Sequence, residues 1–254
     1  MLRSRIIPCL LIQDGGLVKT KSFKEPTYIG DPLNAVRILN EKMVDELTVF
    51  NIDSNRHKTG PNMKLIEQLA AECRMPLCYG GGISSFHQIE DIISLGVEKV
   101  SLSRTAVTQP EIISETAALI GSQSVAVVMD CKFNRLRRKH EIYIDNGKTN
   151  TGLNATDFAS TVESLGAGEI IINSIDQDGQ MNGYDIKLIK KIRQQSTIPL
   201  TALGGAGKLD DLISLIDEIG LIGAAAGSLF VFKGKYRAVL INYPSPEERS
   251  VLGI

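Results

Sequence analysis

The sequence carries almost no excess charge of either sign. Its 28 Lys and Arg residues nearly balance its 29 Asp and Glu residues, which leaves a formal net charge of −1 at pH 7. A protein that binds nucleic-acid phosphates usually has a basic excess, and this composition has none. We therefore expect neither a nucleic acid nor a membrane as partner, and a small molecule or another protein is the expected ligand.

Long hydrophobic runs are also missing. The first apolar run, IIPCLLI, contains Pro8 and ends at Gln13-Asp14-Gly15 without a site that resembles a signal-peptide cleavage site. The longest later stretch, from Leu221 to Phe232, is shorter than the ~20 residues that a membrane-spanning helix needs. The sequence therefore predicts a soluble, cytoplasmic protein, and its first apolar run predicts a β-strand.

Residues that bind metals or act as nucleophiles are few, and their spacing matches no known motif. The four cysteines and three histidines lack metal-ligand spacing, and no GxSxG motif occurs. These residues are Cys9, Cys73, Cys78, Cys131, His57, His87 and His140. Because the cysteines lie in or beside apolar runs, we interpret them as reduced structural thiols. We expect no metal and no cofactor, and we assign no role to the histidines.

What the sequence does contain is a regular alternation of short β-rich runs with amphipathic segments. Eight runs predict strands: RIIPCLLI, ELTVFNI, MPLCY, KVSLS, SVAVVMD, EIIINSI, IPLTAL and LIGAAAG. Seven helical segments separate them and one follows the last, with Asp31 and the serines before Phe86 as expected caps. Apolar strands joined by helices are typical of a parallel sheet buried on both faces, and eight units favour a (β/α)8 barrel. We expect residues 1–254 to form this one domain.

An internal repeat supports two half-barrels of four units each. The segment VDELTVFNID parallels AGEIIINSID, which aligns Glu46 with Glu169 and Asp53 with Asp176 at the same separation. A glycine-rich motif, GGGI in one half and GGAG in the other, repeats at nearly the same separation. A doubly wound sheet would not explain such a repeat. The one irregular stretch, residues 131–152, predicts a long hairpin-like loop after strand five.

Glycine-rich turns stand where three predicted strands end, which is the face of a (β/α)8 barrel that carries function. Gly80-Gly81-Gly82 follows strand three, Gly204–Gly207 follows strand seven, and Gly227-Ser228 follows strand eight. Such turns expose backbone N–H groups that can bind a phosphate, so the last two turns predict a phosphate site. Ser103 and Arg104 follow strand four beside the first turn. Arg104 either binds a second phosphate or faces solvent.

One carboxylate, Asp130, is predicted at the end of strand five, but the matching position on strand one is apolar. A two-carboxylate acid/base site would place a second acid there, and the aligned residue is Leu11. Asp14 lies about 10 Å farther along a strand and does not substitute in the same geometry. Asp178, after strand six, is the other acidic candidate, although Asp176 and Asp178 are equally suited to capping the loop that follows.

Four charged residues stand at the opposite ends of the predicted strands. They are Arg5, Glu46, Lys99 and Glu169, at the starts of strands one, two, four and six. In one interpretation they pair in a neutral ring around the barrel axis, because unpaired charges inside a barrel are costly. In the other they form a solvated rim. Composition alone favours the rim.

Taken together, the motifs resemble the cyclase subunit of imidazole glycerol phosphate synthase over nearly the whole chain. They are RIIPCLLIQDG, GDP, VDEL, GGGI, EKVS, the run Asp130-Cys131-Lys132, NTG, GAGEI, SIDQDG and GGAGK. That family is a barrel that receives ammonia from a glutaminase subunit docked at its lower face, where the strands begin. At the upper face it cleaves and cyclises a ribulosyl-formimino-aminoimidazole carboxamide nucleotide to imidazole glycerol phosphate and an aminoimidazole ribotide.

The resemblance also implies roles for individual residues. Arg5, Glu46, Lys99 and Glu169 match the gate of the ammonia passage, which reverses the preference drawn from composition. The other matches are Asp130 and Asp178 as catalytic residues, Lys19 in the first loop, and Gly82, Gly205, Gly227 and Ser228 as phosphate contacts. Ser103 and Arg104 stand at the family's phosphate contacts after strand four.

Three positions depart from the family pattern. Leu11 replaces the catalytic aspartate of strand one, Asn51 replaces an acidic residue at the end of strand two, and Ser103-Arg104 replaces Asn-Thr. Loss of the proton-transfer partner of Asp130 predicts a cyclisation rate lower by about 10²–10⁴. The sequence more closely resembles a divergent branch found with surface-polysaccharide genes. In that branch the barrel and a glutaminase supply ammonia to a separate amidotransferase that makes an amide or amidine sugar.

The leading hypothesis is therefore an ammonia-channelling subunit. Its expected partners are a HisH-like glutaminase at the lower face, a third amidotransferase protein, and a phosphorylated small molecule at the glycine turns. Three alternatives remain open. They are a working cyclase in which Asp130 acts with Asp14 or Asp178, a related barrel isomerase, against which Leu11 counts, and a non-enzymatic phosphate-binding barrel.

Overall fold

The computed structural model, which describes residues 3–53 and 60–251, has a β-strand at each of the eight predicted positions. The strands are β1 (Arg5–Gln13), β2 (Leu47–Asn51), β3 (Leu77–Gly80), β4 (Lys99–Leu102), β5 (Val125–Asn134), β6 (Glu169–Ser174), β7 (Leu200–Leu203) and β8 (Gly223–Ala226). Each is parallel to its barrel neighbours, and β8 pairs with β1. The predicted (β/α)8 barrel is confirmed. His57 lies outside the described residues.

Helices connect the strands and cover the outside of the barrel. They are α1 (Pro32–Glu41), α2 (Met63–Glu72), α3 (Phe86–Ser94), α4 (Arg104–Thr108), α5 (Glu111–Ile120), α6 (Ala155–Ser164), α7 (Ile186–Arg193), α8 (Leu209–Ile219) and α9 (Pro246–Val251). Asp31 and Ser85 cap α1 and α3 as predicted, because their side chains accept hydrogen bonds from the backbone N–H groups of Asn34 and Gln88. With helices outside and side chains inside, all six residues of β6 are buried.

The barrel interior is filled by every second residue of each strand. On β1, Ile7 and Cys9 face the axis between Arg5 at one end and Leu11 at the other, because successive side chains of a strand alternate. The buried cluster on the axis consists of Ile7, Cys9, Cys78, Ala126, Val128, Ile171, Leu203 and Ala225. A rise of about 3.3 Å per residue separates Arg5 from Leu11 by about 20 Å. The interior that joins the two ends of the barrel is therefore largely apolar, and the same alternation places the buried hydroxyls of Thr48, Ser101 and Thr201 on it.

Two β-hairpins rise from the carboxyl ends of the strands. The second follows β5, which pairs with Lys139–Ile144 and, through it, with Thr149–Asn154, so the predicted hairpin-like loop is an ordered three-stranded extension. The first, Gly16–Lys21 and Lys24–Gly30, was not predicted. Its link to β1 is the tight turn Asp14-Gly15, where both residues have positive φ (49° and 76°). An Asp-Gly pair favours this turn, so the signal was present.

The last βα unit departs from the regular pattern. After β8 come a short 3₁₀ turn (Ser228–Phe230), a small hairpin of Phe232–Lys233 with Ala238–Val239, and only then α9. The hydroxyl of Tyr243 accepts a hydrogen bond from the backbone N–H of Asp45 and donates one to the Ile6 carbonyl, which fixes this segment against the barrel. No helix in the described part of the chain is long and apolar enough to cross a membrane.

Candidate functional site

A cavity of about 950 Å³ opens at the carboxyl ends of the strands. The predicted site residues that line it are Lys19, Gly82, Ser103, Arg104, Asp130, Asp178, Gly205, Gly227 and Ser228. Leu11 and Asn51, two of the positions that depart from the family pattern, also line it. The closed barrel therefore brings these residues, which are distant in sequence, to one place. Among residues 3–53 and 60–251, no group of three or more His, Cys, Asp or Glu could hold a metal ion.

Backbone geometry requires glycine at the turns that border the cavity. Gly81 and Gly205 have φ angles of +122° and +112°, which side chains disfavour. A Cβ atom on Gly205 would lie 2.0 Å from the carbonyl oxygen of Gly183, and one on Gly81 would lie 2.2 Å from that of Asn51. The turns after β3 and β7 are thus tightly packed and bare of side chains. This is the kind of surface on which backbone N–H groups can approach a phosphate.

The Arg104 side chain forms an ion pair within the protein. Its guanidinium donates to the carboxylate of Asp145, which lies in the turn of the second hairpin. The Arg104 side chain is 52% exposed, and ion pairs of that exposure are weak. A phosphate beside the β3 turn would therefore compete with Asp145 for this cation.

Asp130 projects from β5 into the cavity beside Asn173 of β6. Asn173 Nδ2 donates a 2.8 Å hydrogen bond to Asp130 Oδ1. Burial raises the pKa of Asp130 to about 7, although hydrogen bonds from Asn173 and Ser103 favour the charged form. A carboxyl group with a pKa near neutrality gains and loses a proton readily at physiological pH. It is suited to general acid or base chemistry.

Among the residues that the structure describes, the matching position on the wall opposite Asp130 has no such group. In the strand register, Leu11 pairs with Phe50 of β2 as Asp130 pairs with Asn173 of β6, so the two pairs occupy equivalent positions in the two half-barrels. Leu11 and Phe50 pack against the apolar interior of the barrel. The cavity thus has a carboxyl group, Asp130, on one wall, and the apolar side chains of Leu11 and Phe50 at the equivalent positions on the other.

The other two acidic candidates, Asp178 and Asp14, are held by contacts of their own. Asp178 lines the cavity, but its carboxylate accepts hydrogen bonds from Thr20 Oγ1 at 2.7 Å and Phe23 N at 3.1 Å, and so anchors the first hairpin. Burial raises the pKa of Asp178 against these bonds. Asp14 is not among the residues that line the cavity, and its backbone N–H donates to Asp53.

Lys19 reaches from the first hairpin into the barrel. Its side chain is buried, and Nζ donates a 2.6 Å hydrogen bond to the carbonyl of Cys9. Nζ also lies against the β8 turn, because a Cβ atom on Gly227 would be only 2.4 Å away from it. Burial lowers the pKa of Lys19. The residue that sequence analysis placed in a loop is therefore a buried amine beside a glycine turn.

At the amino ends of the strands, four charged residues form a closed ring of ion pairs. Arg5 binds Glu46 and, at 2.8 Å, Glu169. Lys99 binds the same two carboxylates at 2.8 and 2.7 Å. Each carboxylate bridges two cations, and both carboxylate side chains are only 6% exposed. The solvated rim that composition favoured is wrong, because the side chains point into the barrel, where a charge needs a partner.

Opposite charge outweighs burial in this ring. Burial acts to raise the pKa of Glu169 and to lower those of Lys99 and Arg5. The neighbouring charges reverse both effects, so the pKa of Glu169 is lowered and the pKa values of Lys99 and Arg5 are raised. Thr201 also donates a hydrogen bond to Glu169. Glu169, Lys99 and Arg5 therefore stay ionised near neutral pH.

Sequence reasoning missed two residues of the upper face. Asn173 is the hydrogen-bond partner of Asp130, and the internal repeat, which aligns it with Phe50, carried a signal for it. Asp145, the partner of Arg104, had no local signal. Its contact joins a hairpin turn to the start of α4, and the two residues lie 41 positions apart.

The protein is a (β/α)8 barrel with a cavity bordered by glycine turns at its upper face and an ion-pair ring at its lower face. The family described as "Histidine biosynthesis protein" matches residues 5–237. This chain belongs to that family and, within it, to the HisF group.

Three relatives show the relationship. A protein of Leptospira interrogans named "Putative imidazole glycerol phosphate synthase subunit HisF" is 53% identical over 252 residues, which are 99% of each chain. A Leptospira borgpetersenii protein of the same name is 55% identical over 252 residues, again 99% of each. "Imidazole glycerol phosphate synthase subunit HisF" of Lactococcus lactis subsp. cremoris (strain SK11) is 37% identical over 230 residues, 91% of this chain and 89% of the relative.

Proposed function

We propose that this chain is the barrel subunit of a glutamine amidotransferase that conducts ammonia from the charged ring to the upper cavity. The observation that carries the proposal is the contrast between the two ends. The ring of Arg5, Glu46, Lys99 and Glu169 is complete, whereas Asp130 faces Leu11 and Phe50 instead of a second acid. The relatives are named as subunits of imidazole glycerol phosphate synthase, which supports a partner protein. In our proposal that partner is a HisH-like glutaminase at the lower face.

The apolar interior supports conduction of neutral ammonia. Between the ring and Leu11 the axis is lined mostly by apolar side chains, several of them small, such as Cys78, Ala126 and Ala225, together with the hydroxyls of Thr48, Ser101 and Thr201. An ammonium ion would lose its hydration there without gaining a counter-charge, whereas ammonia has far less hydration to lose. The ring stands where a molecule would pass from the partner into this interior. A charged ring that holds its own ions in fixed pairs can select the neutral species.

The residues of the upper face favour a role in delivering ammonia to another protein over a role in cyclisation. General acid/base catalysis contributes about 10²–10⁴ to a rate, and one of the two groups it needs is absent here. In our proposal a third protein, an amidotransferase, takes the ammonia and forms an amide or amidine on a sugar for surface polysaccharide, in the cytoplasm. The resemblance of the sequence to the divergent branch of the family is the basis for that acceptor.

A working cyclase is the second candidate. It is favoured by the pKa of Asp130, which lies at about 7, because a single carboxyl group of that pKa can act as acid and base in successive steps. The wall of glycine turns and Ser228 would hold the phosphates of the nucleotide.

The deciding experiment is turnover of the ribulosyl-formimino nucleotide by the purified chain in excess ammonium salt. This assay bypasses the glutaminase and tests the upper face alone. The Lactococcus relative, assayed under the same conditions, is the positive control. We expect a rate at least about 100-fold below the control. Equal rates would overturn the proposal and establish the cyclase.

Docking at the lower face is tested separately, by size-exclusion chromatography with a HisH-like glutaminase from the same source. A complex with raised glutaminase activity is expected. A chain that neither binds the glutaminase nor changes its activity would contradict the partner.

A further inference from the structure

The turn of the second hairpin, directly after β5, is strongly basic. Residues 132–140 contain five Lys or Arg and no Asp or Glu, although the whole chain has a net charge of −1. Three of the five, Arg135, Arg137 and Arg138, stand in the four-residue turn of residues 135–138 and are exposed. We call these four residues the basic turn. Because like charges repel, such a concentration destabilises the isolated protein.

Two arginines of the basic turn have no carboxylate partner. Arg137 and Lys139 bind Glu141 at 3.0 and 3.7 Å. Arg135 and Arg138 form no ion pair within residues 3–53 and 60–251, which are the residues that the structure describes. Both are exposed, so a carboxylate of another molecule can reach them and form a charge-assisted hydrogen bond.

The basic turn also presents an apolar side chain. Leu136 lies between Arg135 and Arg137 and is 95% exposed. A single exposed leucine is ordinary on a protein surface, but the other three residues of this turn are all cations. Burial of the leucine and pairing of the arginines would both be gained from one partner whose surface has an apolar pocket bordered by carboxylates.

Hydrogen bonds hold the basic turn in a fixed shape. Asn134 Oδ1 accepts from the backbone N–H groups of Leu136 and Arg137, both at 3.1 Å. Next to the turn, the buried carboxylate of Glu141 accepts from Asn134 Nδ2 at 2.8 Å and from Asn150 Nδ2 at 2.9 Å. A surface that is already ordered loses little conformational entropy when it binds a partner. This order distinguishes the basic turn from a charged loop that is merely solvated.

The second hairpin joins the basic turn to the cavity. Its other turn lines the cavity through Asp145, Asn146 and Lys148. The connecting strand, Lys139–Ile144, has six residues, so the two turns are about 20 Å apart. A standard interface covers about 800 Å² on each partner, which is a patch roughly 30 Å across. A protein that covers the mouth of the cavity is therefore wide enough to contact the basic turn.

We propose that the basic turn docks an acidic cleft of the protein that receives ammonia at the upper face, with Leu136 in an apolar pocket and Arg135 and Arg138 paired with carboxylates. The inference rests on the proposed function, because it gives the third protein a surface to contact. A nucleic acid fits this surface less well. Its phosphates need a continuous track of cations, whereas the carboxylates of Glu25 and Asp145 line the cavity at the same face.

The binding test uses the ammonia-dependent sugar amidotransferase of the same source, titrated into the full chain in complex with its glutaminase. We expect Arg135→Glu combined with Arg138→Glu to weaken binding about tenfold or more, because attraction to the acidic cleft becomes repulsion. Leu136→Ser should weaken it about threefold or more, because less apolar surface is buried. A rise in salt from about 0.05 M to about 0.5 M should weaken binding by the wild type but not by the doubly substituted variant.

The matched control is Arg74→Glu combined with Lys191→Glu, which changes the net charge by the same amount. Both residues are exposed and lie elsewhere on the barrel, in the loop before β3 and on α7. The affinity of this control should stay within about twofold of the wild type. The side chains substituted in the basic turn are also exposed, so circular dichroism should show the same fold in every variant.

Transfer of ammonia to the third protein gives a second measurement. Formation of the amide or amidine product is followed with glutamine and, separately, with excess ammonium salt, which needs no docking. The glutamine-driven rate should fall about fivefold or more in the variants of the basic turn, because fewer complexes form. The ammonium-driven rate and the glutaminase activity should not change.

The outcomes separate the docking surface from the proposed function. Equal affinity in the wild type and in the variants of the basic turn would overturn the docking surface alone, because the third protein would still bind. Absence of any wild-type complex would overturn the docking surface and the third protein together, whereas the ring and the glutaminase are tested by other assays. Binding to a single-stranded oligonucleotide or to phosphatidylglycerol vesicles that is tighter than binding to the amidotransferase, and is lost in the variants, would overturn a protein as the occupant.

Discussion

The two half-barrels of this protein share a fold but differ in chemistry. Each carries a hairpin after its first strand and a glycine turn after its third. Each also has an aspartate after its second strand that accepts a hydrogen bond from the neighbouring unit: Asp53 from the N–H of Asp14, and Asp176 from the N–H of Phe133. At the cavity, however, the second half presents Asp130 with Asn173, and the first presents Leu11 with Phe50.

Some positions of this barrel can differ between the halves, whereas others depend on both halves at once. Leu11 lies at the rim of the barrel interior at the position where the other half has Asp130, and a hydrocarbon side chain packs there without cost, so the two halves can carry different groups on the same fold. The lower ring is different because it draws on both halves. Glu46 and Glu169 occupy equivalent positions, and each binds both Arg5 and Lys99, so loss of either would leave buried charge unmatched.

The largest effect is expected when the chemical difference between the halves is removed. Leu11→Asp restores a second acid opposite Asp130, and we expect cyclisation with ammonium salt to rise by about 10²-fold or more. Leu11→Asn is the matched control, since it has the same shape as Asp without the acid. If the cyclisation rate rose equally in both variants, or in neither, the two halves would differ in more than one proton-transfer group.

A Leu11→Asp variant that cyclises the nucleotide also makes it possible to measure ammonia transfer through the barrel. If Leu11→Asp turns over, the ratio of glutamine-driven to ammonium-driven rate, measured with the glutaminase bound, gives the fraction of ammonia that arrives through the barrel. Adding Lys99→Met should lower that ratio by about threefold or more, because it unbalances the ring. An unchanged ratio would contradict a gating role of the ring in ammonia transfer.

The next effect concerns the shared ring and should appear in stability. Glu169→Ala leaves Arg5 and Lys99 with one carboxylate between them, and we expect the free energy of unfolding to fall by about 3 kcal/mol in urea. Glu218→Ala is the control, because its pair with Lys190 is half exposed, and it should cost about 0.5 kcal/mol or less. Similar losses in the two variants would contradict a buried ring.

A smaller effect should appear in the pH dependence of stability. Folding raises the pKa of Asp130 to about 7, so the folded state binds the proton more tightly than the unfolded state. The ionised carboxylate therefore lowers stability, and this penalty shrinks as the pH falls from about 7 toward 4. Asn at this position cannot ionise. Between pH 5.5 and pH 8, Asp130→Asn should gain about 1–2 kcal/mol relative to the wild type by urea denaturation, whereas parallel curves would show an unshifted carboxyl group.

The smallest effect tests the symmetry of the two halves. Asp53→Ala and Asp176→Ala each remove one acceptor of a backbone N–H, and each should cost about 1 kcal/mol of unfolding free energy. The two losses should agree within about 0.5 kcal/mol, and they should add in the double variant, because distant sites act independently. A large difference between the two losses of unfolding free energy would mean that the two aspartates occupy equivalent positions in the sequence but differ in their contribution to stability.

Most of the barrel could be predicted from the sequence, and the reason is visible in its elements. The run EIIINSI predicted a strand buried on both faces, and β6 is that strand. The caps Asp31 and Ser85 are local signals, since cap and helix are adjacent in sequence. The first hairpin was missed although Asp14-Gly15 marked its turn, because its strands Gly16–Lys21 and Lys24–Gly30 are polar and do not alternate clearly.

The residues that line the site could be predicted from the sequence, but their contacts with one another could not. The glycine turns at strand ends and the family resemblance predicted a set of site residues, and those at the carboxyl ends of the strands line one cavity. The Arg104–Asp145 pair and the anchoring of the hairpin by Asp178 were not foreseen, because they depend on where two hairpins meet above the barrel. Lys19 looked like a loop residue, yet strand pairing turns it inward until it is 5% exposed.

The eight-unit pattern, the half-barrel repeat and the apolar residue at position 11 can be read from the chain before it folds, because periodicity and residue identity need no folding. The ring of four charges from distant strands and the rise of the pKa of Asp130 to about 7 on burial arise only in the folded barrel. Both outcomes depend on distance and on exclusion of water. Neither quantity exists until the barrel closes and sets which side chains share its axis.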